Sequence, residues 1–90
     1  MVTIIVPVAW TVLTSGERSF RCDAATVGEA VDWVLQQYPS LKMRLFSDTG
    51  RVASNINIFL DGVPIRNLQG TLTPVEPDSK ILIIPALVGG

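Results

Sequence analysis

The chain has 90 residues, 48% of them apolar and 17% charged, which is enough for one hydrophobic core and too little for two, and which excludes a disordered chain. The net charge is −1 and the seven Lys and Arg are scattered singly, so there is no footprint for nucleic acid or an anionic membrane. Histidine is absent, which removes the commonest catalytic base and metal ligand together, and Cys22 is alone, so neither an internal disulfide nor a cysteine metal cluster can form.

The first run, "VTIIVPVAWTVL" at 2–13, has the apolarity of a signal-peptide core. However, no Lys or Arg precedes Arg18, Pro7 interrupts the run, and β-branched residues dominate it. A cytoplasmic setting is therefore expected. No apolar run reaches the ~20 residues that span a bilayer. Residues 2–8 read instead as a strand, followed by a loop around Trp10 and a turn at Ser15-Gly16. "ERSFRC" then supplies a second strand to close a hairpin.

After Cys22 the period changes. Thr26 and Glu29 have capping-box spacing, and Val27, Ala30, Val31, Val34, Leu35 and Tyr38 follow as one helical stripe ending at Pro39. Residues 40–50 read as an irregular or single-turn connection. "NINIFLDG" alternates as a strand into an Asp61-Gly62 turn, and "VPIRN" supplies a short edge strand because Pro64 cannot serve a central one. Leu72 to Pro77 is a turn-rich link, and "KILII" is the last strand. The expected fold class is α+β: a mixed four- to five-stranded sheet packed on one main helix, with the domain at 1–84 and a flexible tail at 85–90.

That order of elements, running off the last strand into Gly89-Gly90, resembles the ubiquitin-like β-grasp sulfur carriers of the ThiS/MoaD-like family. The resemblance covers nearly the whole chain and lies in "TVGEAVDWV", "NIFLDGVPIRNLQG" and "PDSKILIIPALVGG". The last of these is similar to the family pattern Gly-Asp-x-Val-x-Ile-x-Pro-x-x-x-Gly-Gly, with Pro77-Asp78-Ser79-Lys80 replacing the usual Gly-Asp turn. The long middle segment, with Arg66 and Leu68-Gln69-Gly70, looks more like the cysteine-pathway and larger molybdopterin-type carriers than the shorter thiazole ones, and of these the chain most resembles the cysteine-biosynthesis type. The resemblance implies a protein substrate and not an enzyme: it binds no cofactor, and an E1-like adenylyltransferase/sulfurtransferase uses ATP to activate Gly90 for conversion to a thiocarboxylate. It also implies a sulfur-accepting partner of the cysteine-synthase type. The alternatives are the small subunit of molybdopterin synthase, partnered by its large subunit, and a ubiquitin-like modifier conjugated to lysines.

The tail carries a physical argument of its own. At average glycine usage, two glycines at the last two positions arise by chance in roughly one chain in 200. A carboxylate is inert to substitution until its oxygen is joined to a better leaving group. Gly89 and Gly90, lacking Cβ, are suited to threading a narrow channel towards such a reaction. Ala86, Leu87 and Val88 are expected to thread that channel in the partner and make apolar contact along it, and Pro85 to set the direction of exit.

Period-2 alternation assigns the sheet faces. Val2, Ile4, Val6, Ile56, Ile58, Leu60, Ile81 and Ile83 are expected to face the helix. Ile5, Phe59, Leu82 and Ile84 then lie on the face without a helix, forming an apolar patch large enough to dock a partner unless residues 40–50 or the Trp10 loop cover it. Trp10 and Trp33 read as partly buried edge residues, and Cys22 as a half-buried structural thiol. No catalytic or metal-binding residue is expected.

Overall fold

The computed structural model describes residues 1–85; the expected tail residues Ala86, Leu87, Val88, Gly89 and Gly90 lie outside the described residues. Strands β1 (Val2–Ile5), β2 (Ser19–Cys22), β3 (Ile56–Leu60), β4 (Val63–Pro64) and β5 (Lys80–Pro85) form one sheet in the order β2-β1-β5-β3-β4. β1 and β5 run parallel and every other neighbouring pair is antiparallel, so the sheet is mixed and five-stranded. Helix α1 spans Val27–Gln37 and a single turn, α2, spans Lys42–Leu45.

α1 begins where its cap dictates. Thr26 is extended, and its side chain accepts from the Glu29 N–H at 3.2 Å. The reciprocal half of the box is displaced by one residue, because Glu29 Oε1 accepts from Ala25 N–H rather than from Thr26. Val27, Ala30, Val31 and Val34 are buried against the sheet. Tyr38 leaves the helical conformation, its N–H still bonded to the Val34 carbonyl, and Pro39 opens a separate 3-10 turn.

Strand β1 is shorter than the expected 2–8. The hairpin retains one further bond, from Val6 N–H to the Arg18 carbonyl at 2.9 Å. Pro7 then has no N–H to offer the ladder, and Val8–Trp10 coil into a 3-10 turn. That coil turns Trp10 into the core, where it is only 4% exposed; it is not an edge residue. Trp33, partly buried against Phe20 at a ring separation of 6.4 Å, does sit at the margin.

The connection at 40–50 is more structured than its sequence suggests. Leu41 and Leu45 are fully buried and join the core, which explains why this segment coils tightly at the end of the helix layer. The edge segment "VPIRN" pairs only at Val63–Pro64 before Ile65–Asn67 form a 3-10 turn that buries Ile65. The link at 70–79 is held to the start of α1: Val27 N–H donates to Thr73 O and Val75 N–H to Ala25 O, each at 3.0 Å. Gly28 permits this closeness, because a Cβ there would stand 3.1 Å from the Thr71 carbonyl oxygen.

Candidate functional site

The sheet face without a helix is the first candidate surface, and register builds it. Ile5 pairs with Leu82 across β1 and β5, and Leu82 pairs with Phe59 across β5 and β3. Three strands therefore place three apolar side chains in one row. Ile84 lies two residues further along β5, opposite Asn57, and is 37% exposed. Ile5, Phe59 and Leu82 are partly buried, whereas their strand neighbours Ile4, Ile58, Leu60, Ile81 and Ile83 are buried in the core.

Phe59, Leu82 and Ile84 line a shallow depression of about 550 Å³, closed at one end by Asp61, Asp78 and Lys80. Neither residues 40–50 nor the Trp10 loop contribute to that lining; Leu41, Leu45 and Trp10 belong to the core instead. The polar end is rigidly built. Asp61 and Gly62 both have positive φ, 49° and 87°, as a two-residue hairpin turn matched to strand twist requires. The Asp61 carboxylate accepts the Lys80 N–H at 2.9 Å, tying that turn to the start of β5. Replacement of the family's Gly-Asp turn is resolved by Ser79, whose Oγ accepts the Glu76 N–H at 2.9 Å while its own N–H returns to the Glu76 carbonyl.

Strand β5 carries this face to Pro85, which stands opposite Ile56 at the beginning of β3. The boundary expected between residues 84 and 85 thus falls inside the strand. Beyond it, the positions expected to thread and react are outside the described residues, while Ile5, Phe59, Leu82 and Ile84 are brought together beside the point of departure.

Cys22 is buried rather than half-buried, at 4% exposure, because β2 turns it into the core. Burial, and secondarily the Asp23 carboxylate, push its thiol pKa up, which disfavours the thiolate needed to carry sulfur or accept an acyl group. Among the described residues no helix is long and apolar enough to cross a membrane.

A second cleft, of about 490 Å³, opens around the first residues of β3. It contains Arg51, which the sequence does not single out, and Arg66, whose Nη1 donates to Asn57 Oδ1 at 3.3 Å. The two arginines are 15 positions apart in different loops, and no periodic signal links them.

Comparison with known proteins places this arrangement. The profile of the ThiS family matches residues 4–90. The chain belongs to the ThiS family. Among this ThiS-family chain's relatives is the sulfur carrier protein CysO of Mycobacterium tuberculosis, 25% identical over 91 residues that cover 99% of this chain and 98% of the relative. Small archaeal modifier protein 1 of Haloferax volcanii is 37% identical over 79 residues, covering 84% of this chain and 86% of that protein. A chain of the Amycolatopsis orientalis BexX/CysO complex superposes with a TM-score of 0.89 at 29% identity, each chain fully covered. The crystal structure of Mycobacterium tuberculosis CysO superposes with a TM-score of 0.88 at 22% identity, covering 97% of this chain and all of that one, a likeness of fold. The fold is the ubiquitin-like β-grasp, and the ThiS-family relatives named here are sulfur carriers and modifiers.

Proposed function

We propose that this ThiS-family chain is a sulfur carrier, a protein substrate with no catalytic residues of its own, whose working group is the carboxyl of Gly90. An E1-like partner joins that carboxylate to the α-phosphate of ATP, releasing pyrophosphate and leaving an acyl-adenylate. Hydrosulfide-level sulfur then attacks the acyl carbon, AMP leaves with the C–O electron pair, and the product is a thiocarboxylate. An acceptor enzyme takes the sulfur, most simply one of the cysteine-synthase type. The carrier itself holds neither ATP nor metal, and its setting is the cytoplasm.

The observation that carries this reading is the row Ile5, Leu82 and Phe59, whose central member lies on β5, the strand that leads to residues 86–90. We read this apolar row, which no helix covers among the described residues, as the docking surface. Here it would hold the partner where a short peptide could reach its active site. The match of the ThiS family through residue 90 supports the same reading, as does the BexX/CysO complex, in which a protein of this fold is found with a partner.

A second reading, a modifier conjugated to lysines through Gly90, is favoured by the 37% identity to small archaeal modifier protein 1. One experiment separates the two. The chain is incubated with its E1-like partner, ATP and a sulfur source, and its intact mass is measured. Exchange of one oxygen for one sulfur supports the carrier. Isopeptide-linked peptides from cell extracts with no such exchange would support the modifier, and an unchanged mass with no conjugates would sink both.

A further inference from the structure

The cleft beside β3 meets the helix-free face of the sheet at one residue pair. Asn57 stands opposite Ile84, the exposed member of that face, and Asn57 also lines the cleft. Its Oδ1 accepts from Arg66 Nη1 at 3.3 Å, so a neutral group holds the Arg66 guanidinium at the shared rim. Arg51 is the second cation of the cleft. Both arginines are exposed, and no carboxylate is among the described lining residues. The rest of the lining is largely apolar: Val52 and Ala53 are partly buried against the core, and Ile56 and Ile58 line the cleft from β3. Its volume of about 490 Å³ is enough for a few side chains of another molecule.

These walls select an occupant by its chemistry. Two guanidinium groups with no lining carboxylate favour an anion, and their planar forks suit a carboxylate. The apolar lining favours an aliphatic side chain beside that anion. Backbone pairing contributes less. β4 takes Phe59 and Leu60, and the Ile56 N–H already donates to the Ala53 carbonyl at 3.0 Å. Recognition therefore falls to side chains rather than to an added strand.

We propose that this cleft seats an acidic and apolar segment of the protein that docks on the Ile5–Leu82–Phe59 row. A Glu or Asp carboxylate of that segment meets Arg66 and Arg51, and a neighbouring aliphatic side chain packs on Val52 and Ala53. The inference rests on reading that row as the docking face. A partner that covers Ile84 already reaches Asn57, so the cleft continues the same footprint over the edge of the sheet. The two parts do different work. Apolar burial on the row serves any partner with a matching surface, whereas the arginines discriminate, because an amide or a lysine in that place leaves them without a counter-charge.

The test is nuclear magnetic resonance of the full chain, with methyl and arginine side-chain signals followed as the capped peptide acetyl-Ser-Leu-Glu-Val-Ser-amide is added. Expected are saturable shifts at the Val52 and Ala53 methyls and at Arg66 Nε–H. Binding should weaken about tenfold when the peptide carries Gln in place of Glu, and about as much in the Arg51→Gln/Arg66→Gln variant. Unchanged cross-strand peaks between β3 and β5 verify that the variant folds. No saturable shift at these methyls, or equal binding of the two peptides, would overturn the proposal. So would shifts that follow the chain's own concentration without peptide, which would assign the cleft to a second copy. The sulfur-exchange measurement described above is then made on both forms. The variant should need about tenfold more E1-like partner for half-maximal exchange and reach the same rate at saturation; an unchanged requirement would overturn the proposal as well. Exchange without peptide binding refutes the cleft alone, and peptide binding without exchange refutes the carrier reading alone.

Discussion

Phe59 and Leu82 pair across β3 and β5 on the face that carries no helix, while Ile58 and Ile83, one residue away on each strand, pair on the opposite face in the core. A one-residue step therefore separates the face proposed for docking from the interior. Phe59→Asp or Leu82→Asp is expected to weaken binding of the activating enzyme at least tenfold, with a stability loss near 1 kcal/mol. Ile83→Ala is expected to cost about 2–5 kcal/mol through cavity formation. Calorimetry of folding beside titration calorimetry of binding checks both, and a large folding loss in the aspartate variants would mean the face is structural.

Gly89→Val, or deletion of Gly90, is expected to abolish adenylation while leaving the melting temperature unchanged. A branched side chain beside the proposed reacting carboxyl would obstruct a partner channel shaped for bare backbone. Pyrophosphate release with the E1-like partner measures the first effect and thermal denaturation the second. Full-rate turnover of Gly89→Val would refute the threading role.

The hairpin turn after β3 depends on Gly62, which holds φ of +87°. Gly62→Val should cost about 1–2 kcal/mol, because a β-branched residue is strained there even though no atom stands within 4 Å of its Cβ position. Chemical denaturation should show a lower midpoint at an unchanged slope. An unchanged midpoint would show that the turn relaxes freely.

Cys22 offers a pH-dependent readout. Its thiol pKa is raised in the fold, first by burial and then by the Asp23 carboxylate. The folded protein thus holds the proton more tightly than the unfolded chain does. The stability tied to the neutral thiol is full below the ordinary thiol range and is lost as pH rises through it to the folded value. A Cys22→Ala variant should remove that alkaline dependence, and disulfide-exchange reagents should label native Cys22 far more slowly than the denatured chain. Rapid labelling at neutral pH would reopen a sulfur-handling role for this residue.

Much of this was legible before any fold was considered. The Thr26 cap, the stripe from Val27 to Val34 and the stop at Pro39 are local signals, written within a few residues of where they act. The alternation of "NINIFL" and "KILII" assigned Phe59, Leu82 and Ile84 to one face and Ile58 and Ile83 to the other for the same reason. Other features were not legible. Burial of Trp10 follows from a coil that starts when Pro7 leaves the ladder, and the core roles of Leu41 and Leu45 follow from where their turns pack.

Periodicity states which way a side chain points but not which strand lies beside it. The sequence by itself determined the helix, the strands, the inward and outward sets, and the likeness of its last residues to a carrier's tail. Only the tertiary structure decided that β5 lies between β1 and β3, so that Ile5, Leu82 and Phe59 meet in a row. It likewise brought Arg51 and Arg66 to one cleft beside the strand end. The reason is that neighbours in a sheet are chosen by the joint burial of all the inward faces against one helix layer. That is a property of the whole chain, and no local stretch of it carries the information.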